Sequence, residues 1–319
     1  MKKIVSLLLV ALITLGSIGQ ITTTKVSPAT SKIDESPYDS SENFVGKSVN
    51  KYLTQELYLT GKSKVLRNYG YDGFTTDYRK SKFDKGSVYK CCDGYNSRYD
   101  DLNGRYFKVL QVINHPKASE NESLYGDKFY LKLEEKESKD IVYFEYSSKS
   151  AFPFIVVGFF EKKKRLLLGQ EFIFTDRILK VSTGGGLDIT TGNPLKANTG
   201  ERWKCIDLTI EERYYDLALV VVSPSGEKTT ISYESIFDMD NNAFTPTQVD
   251  RYISEFGPDK FNKILQGKVS IGMTKEMCIL SWGKPNTINE TITAGKKSEQ
   301  WVYKDNYLYF DNGVLTTIQ

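Results

Sequence analysis

From Gly46 onward, apolar and aromatic residues come in short runs broken by turn formers. "SVYKCC" (87–92), "RYFKVLQVI" (105–113), "KFYLKLEE" (128–135), "IVYFEY" (141–146), "FIVVGFF" (154–160) and "LLLGQEFIF" (166–174) are rich in β-branched and aromatic side chains. Asp93-Gly94, Asn103-Gly104 and Gly126-Asp127 punctuate them, and such dipeptides supply the positive φ angles of tight turns. Short strands at regular spacing predict one or two small antiparallel β-barrel or sandwich modules. The basic run Lys162-Lys163-Lys164-Arg165 lies between two apolar runs and reads as a solvated hairpin turn.

A second copy of this pattern follows. "YKCCDGY" (89–95) resembles "WKCIDLT" (203–209): each has an aromatic residue, Lys, Cys and an Asp two places later. A strand pair follows each. Duplication of a small β-module would make Cys91 and Cys205 equivalent. Chance similarity between two β-hairpins is the alternative.

The period changes at Thr245. In "TPTQVDRYISEF", Thr245 is a helix N-cap, Pro246 takes the first helical position and Gln248 completes a capping box. Val249, Tyr252, Ile253 and Phe256 follow at helical spacing until Gly257-Pro258. A second short helix carries Phe261, Ile264 and Leu265, and a third runs through "KEMCILSW" to Gly283. Three aromatic strands then close the chain. Asn312-Gly313 sets a hairpin turn that opposes Phe310 to Leu315 and Leu308 to Thr317. A two-residue turn at Asp305-Asn306 opposes Tyr303 to Leu308 and Trp301 to Phe310. One face is then Trp301, Tyr303, Leu308, Phe310 and Leu315, covered by the helices. The other is Val302, Tyr307, Tyr309, Val314 and Ile318. A three-residue turn would swap the faces of the first strand.

"IGMTKEMCILSWGKP" followed by "EQWVYKDNYLYFDNGVLTTI" resembles the BamE-like domains, small outer-membrane assembly lipoprotein domains that share a fold with β-lactamase inhibitor proteins. The residues carrying the likeness are Gly272, Met273, Thr274, Met277, Gly283, Pro285, Trp301, Tyr303, Phe310 and Gly313. The resemblance covers about 50 to 60 of the 319 residues and implies two helices on one face of a small antiparallel sheet. The whole chain is similar to exported proteins of Bacteroidetes-type bacteria that join β-modules to this C-terminal unit. Together these readings predict an α+β, predominantly β chain: β-modules over 46–180 and 181–240, then short helices packed on a three-stranded sheet over 241–319.

The first residues give an address. Lys2 and Lys3 precede an apolar stretch from Ile4 to Gly16, and Ser17 and Gly19 form a cleavage site before Gln20. The stretch is shorter than the roughly 20 residues of a spanning helix, so residues 1–19 read as a cleaved signal. The protein is expected to be exported, periplasmic or secreted, with no transmembrane segment. BamE-like lipoproteins carry a lipidated cysteine at the mature start, whereas the first cysteine here is Cys91, so no lipid anchor is expected. Residues 20–45 are Ser-, Thr-, Asp- and Glu-rich and read as a disordered leader. The net charge of +3 is nearly balanced, which argues against nucleic acid as the main partner.

Candidate chemistry is sparse. The one histidine, His115, with Cys91 or Cys92 would make a thiol–imidazole pair, as a Cys-dependent cell-wall hydrolase needs. No orienting Asn or Asp can be assigned to it. Cys91, Cys92 and Cys205 are the disulfide candidates, and Cys278 reads as a free core thiol. "DMDNNA" (238–243) begins like a calcium loop, but Ala243 and Val249 stand where Gly and Glu belong. "STGGGLD" (182–188) lacks the spacing of a phosphate cradle. No metal or cofactor is expected. Aromatic residues mark two binding candidates: the loop carrying Tyr71, Phe74 and Tyr78, which has no strand alternation, and the face of the closing strands that carries Tyr307 and Tyr309. The functional expectation is a non-enzymatic binding or assembly module of the cell envelope, taking an envelope protein or a wall glycan or peptide. Inhibition of a secreted hydrolase through the C-terminal sheet is the alternative.

Overall fold

The computed structural model describes residues 36–80, 84–181, 186–212, 215–237, 242–293 and 296–319. The signal sequence and the leader up to residue 35 lie outside these residues, as do Asp238, Asp240 and the Ser182–Gly185 part of the glycine-rich turn.

The first sheet is built from β1 (Glu56–Leu59), β2 (Phe74–Thr75), β5 (Tyr106–Asn114), β6 (Lys128–Glu135), β7 (Ile141–Ser147) and β8 (Phe154–Val156), in the spatial order β2-β7-β6-β5-β1-β8. A small ribbon, β3 (Cys91–Asp93) with β4 (Asn96–Ser97), and two short helices, α1 (Tyr99–Leu102) and α2 (Glu122–Tyr125), decorate it. Alternation makes β7 one-sided: Val142, Phe144 and Tyr146 are buried while Ile141, Tyr143 and Glu145 face outward.

Residues expected to be leader join this sheet. The Asn43 side chain donates to Phe154 O and accepts from Val156 N–H, both at 2.8 Å. It thus satisfies the edge of β8 as a neighbouring strand would. Tyr52 reinforces the contact, donating its hydroxyl to Asn43 O at 2.8 Å. Composition failed here because a few side chains anchor an otherwise polar segment: Asn43 bonds the β8 edge, Tyr38 and Val45 pack on the first core, and Phe44 lies against Tyr146 and Phe152.

The basic run is not a turn. It lies in α3 (Val157–Leu167), which leads out of the first sheet. Phe159, Phe160 and Leu167 fall at helical spacing and pack against the core. Lys163 lies over the rings of Phe159 and Tyr233, Lys164 pairs with Asp207 at 2.7 Å, and Lys162 donates to Asp39 O.

The second sheet comprises β9 (Glu171–Phe174), β10 (Arg202–Ile210), β11 (Leu217–Val222), β12 (Lys228–Ser232) and β13 (Ala243–Phe244), in the order β12-β11-β10-β9-β13. Two helices accompany it, α4 (Asp176–Val181) and α5 (Tyr233–Phe237). It therefore begins before residue 181, where the sequence pattern had placed the second module. All pairings in both sheets are antiparallel, neither sheet closes into a barrel, and a single buried cluster runs through both.

The five-strand order of the second sheet repeats that of β7-β6-β5-β1-β8 in the first. The equivalence extends to single residues. The β5–β6 register shifts between Val109 and Gln111, and the β10–β11 register between Cys205 and Asp207. Phe107-Lys108-Val109 thus corresponds to Trp203-Lys204-Cys205, with Phe107 opposite Leu57 and Trp203 opposite Phe172. Cys205 is the counterpart of Val109 and not of Cys91, which sits in the two-stranded ribbon. Four shared letters in a β context matched the wrong strand; the bulge identifies the right one.

In β9, Phe172 and Phe174 face the first core while Ile173 faces a second one. Burial on both faces explains why this strand is apolar at successive positions. The second core lies under α6 (Pro246–Phe256), α7 (Pro258–Leu265) and α8 (Lys275–Trp282). Thr245 and Gln248 form the expected reciprocal cap of α6. These helices pack against β14 (Thr287–Thr293), β15 (Lys296–Val302), β16 (Tyr307–Asp311) and β17 (Val314–Ile318), paired in that order. The sheet is four-stranded and not three-stranded. The added strand, "TINETIT", has only Ile288 and Ile292 as apolar residues and none of the aromatic side chains that mark the other three.

Candidate binding face

The hairpin turns decide what the C-terminal sheet shows to solvent. Trp301 lies opposite Leu308 and Val302 opposite Tyr307, so Lys304-Asp305 forms the turn. This register is two residues from the expected one, and a shift of two leaves each side chain on its face. Asp311 opposes Val314 across Asn312-Gly313, both at positive φ. A bulge after Tyr309 then brings Ile318, and not Thr317, opposite Leu308.

The helix-facing side holds Trp301, Leu308, Phe310 and Leu315, all buried. Residues carrying the BamE-like resemblance serve as fasteners. Gly272, at φ +85°, donates its N–H to Leu315 O at 2.8 Å, and Met273 O accepts from Leu315 N–H at 2.8 Å. Thr274 caps α8 by accepting from Met277 N–H. Gly283 ends α8 at φ +81° and accepts the Tyr303 hydroxyl at 3.0 Å. Pro285 lies two residues beyond, before β14.

The opposite side carries a transverse row of polar side chains. Asn289 donates to Gln300 at 3.0 Å, Gln300 to the Tyr309 hydroxyl at 2.9 Å, and that hydroxyl to Gln319 at 2.9 Å. One row further, Thr287, Val302 and Tyr307 align across three strands, and Tyr307 is 40 % exposed. On the other flank Ser298 donates to Asp311 at 2.8 Å beside exposed Val314. The result is a flat face with fixed amide and hydroxyl groups and one open aromatic ring. Only Tyr307 and Tyr309 of this set were legible as candidates. The row through Asn289 depends on β14, whose β-branched Thr and Ile residues were the available signal.

The other aromatic candidates are brought into the core. Tyr71 and Phe74 are 2 % and 3 % exposed. Tyr71 donates to Thr60 O at 2.7 Å and stacks on Tyr99, and Phe74 lies against Phe107, Phe144 and Phe154. Tyr78 is half-buried between Tyr130 and Tyr143. The loop misled because β2, only two residues long, pairs with β7 and turns its rings inward.

Cys91 and Cys92 are joined to each other, while Cys205 and Cys278 are free and buried. Burial pushes their thiols up to about 11 and about 12. His115 stacks on Tyr125 and Tyr130, and its Nδ1 accepts from Lys117 N–H at 3.2 Å. Among the described residues no group of three or more His, Cys, Asp or Glu side chains could hold a metal ion. No described helix is long and apolar enough to cross a membrane.

Comparison of the chain with protein-family models, with curated proteins and with solved structures finds no match.

Proposed function

We propose that this chain is an exported, non-enzymatic binding or assembly module of the cell envelope, and that it engages an extended partner across the open face of its C-terminal sheet. The observation that carries this reading is the row Asn289, Gln300, Tyr309 and Gln319 beside the exposed Tyr307 ring. A face of ordered amides and an accessible aromatic ring offers stacking and hydrogen bonds at little entropic cost, because its polar groups are already held. The BamE-like likeness supports the same reading, since its glycines and Thr274 perform the turns and caps that fasten the helices to the other face.

A photo-crosslinking amino acid at position 307, in cells that make the protein, tests it. Reproducible capture of one envelope protein or wall fragment, lost in Tyr309→Ala and absent with the crosslinker at exposed Tyr106, is expected. Equal capture at both positions would overturn it. The alternative, docking of this face into a secreted hydrolase, predicts that adding the purified protein lowers a hydrolase activity.

A further inference from the structure

Where the segment after β9 meets the C-terminal domain, a cleft of about 560 Å³ opens between Thr175–Arg177, the end of α8 and the β15–β16 turn. Small-molecule sites span roughly 300–1,000 Å³, so the cleft is of ligand size. We propose that it binds a short saccharide bearing a carboxylate.

Its aromatic corner is Trp282 set edge-on to Tyr303, with ring centroids 5.4 Å apart and planes at 86°. Both polar tips are occupied within the protein. The Trp282 indole N–H donates to Gly267 O at 2.9 Å, and the Tyr303 hydroxyl donates to Gly283 O. What the two half-buried residues have left for a ligand is ring surface. Its negative π-face complements the weakly positive C–H groups of a pyranose.

Amides complete the lining. Asn286 and Asn306 each offer a donor and an acceptor, the pairing that neighbouring sugar hydroxyls use, and Gln266, whose oxygen accepts from Lys268, offers its amide N–H groups. Thr175 also lines the cleft, and it is 5 % exposed with a hydroxyl that has no partner among the described residues. That oxygen is sealed from solvent, so Thr175 closes the wall of the cleft and the polar contacts to a ligand fall to the amides.

Charge selects an acidic sugar. The lining carries Arg177, Lys284 and Lys304 along with Asp176 and Asp305, three cations to two carboxylates. Arg177 is held in place: its guanidinium contacts Asn242, which is 2 % exposed and itself donates to Ser235 O at 2.7 Å. A fixed guanidinium fork matches a carboxylate in two-point geometry.

The indole of Trp282 reads the cleft, because Trp203 and Trp301 are 0 % and 3 % exposed. Titration of the whole chain with trigalacturonate, or with an N-acetylmuramic acid disaccharide, is expected to shift tryptophan emission and slow acrylamide quenching. Uncharged maltotriose should bind at least about tenfold more weakly. Lys304→Glu and Arg177→Gln should each weaken the acidic sugar about fivefold or more; the urea midpoint should stay unchanged in Lys304→Glu and fall in Arg177→Gln, which leaves the buried Asn242 amide oxygen without its partner. A response to only one of the two acidic probes supports the proposal and identifies the sugar source. No response to either would overturn it, as would equal binding of citrate or affinity unchanged in both variants.

Discussion

The indole N–H of Trp301 donates at 2.9 Å to the carboxylate of Glu299, two residues back on the same strand. Glu299 is 5 % exposed, yet it stays ionised. Burial opposes its charge, but Lys275, Trp301 and Lys297 donate to it and together hold its pKa down at about 2, below the ordinary 4.5. A charge is thus built into the helix-facing side of the C-terminal sheet, satisfied from three directions.

Because the folded pKa lies below the unfolded one, the unfolded chain binds the proton more readily. The contribution of Glu299 is complete above pH 4.5 and disappears as pH falls toward 2. Urea midpoints measured from pH 6 to 2 should drop across that window, and drop less in Glu299→Gln. At neutral pH that variant should cost about 1–3 kcal/mol, below the full cost of breaking a buried pair because both lysines are partly solvated.

Trp203 is fully buried, and its indole N–H has no partner among the described residues. At the equivalent place in the first sheet stands Phe107. Trp203→Phe removes the unpaired donor and should cost less than about 1 kcal/mol, whereas Trp203→Ala should cost about 3–5 kcal/mol. Similar losses for the two variants in chemical denaturation would count against the equivalence of the sheets.

Tyr309→Phe deletes the hydroxyl that links Gln300 to Gln319. These partners border solvent, so the stability loss should stay below about 1 kcal/mol. Partner capture at position 307 should nonetheless fall, if the ordered row is what a partner reads. Unchanged capture with unchanged stability would make the row structural.

Asn43→Ala leaves Phe154 O and Val156 N–H without their side-chain partner. The expected cost is about 1–2 kcal/mol, accompanied by faster amide exchange at Val156. Unaltered exchange there would show that the β8 edge does not depend on Asn43.

Cys205 and Cys278 should resist alkylation in the folded protein at pH 8, because burial both screens them and keeps them as thiols. Mass spectrometry after iodoacetamide, with and without urea, checks this. Rapid native labelling of either would contradict the packing of β10 or α8.

What the sequence determined by itself was whatever a few adjacent residues decide. Thr245 and Gln248 specify a helix start through their own reciprocal hydrogen bonds, and Asn312-Gly313 specifies a turn through its backbone preference. The faces of the first two closing strands followed from period two and survived a register error because the error was even, whereas the bulge after Tyr309 moved Ile318 from the expected open face to a place opposite buried Leu308. Tertiary structure decided everything that depends on a distant partner. Tyr71 and Phe74 look like a binding loop until β7 pairs with β2 and draws them inward. The run from Val157 looks like a strand and turn until the first core accepts its apolar stripe as a helix. The four shared letters paired Cys91 with Cys205, but strand order and the bulges at Val109 and Cys205 show that the matching positions lie elsewhere. The cleft at Trp282 has no linear signature, because Arg177, Trp282 and Lys304 come from three separate segments. Local conformational preference is written residue by residue, whereas burial is a property of which surfaces meet.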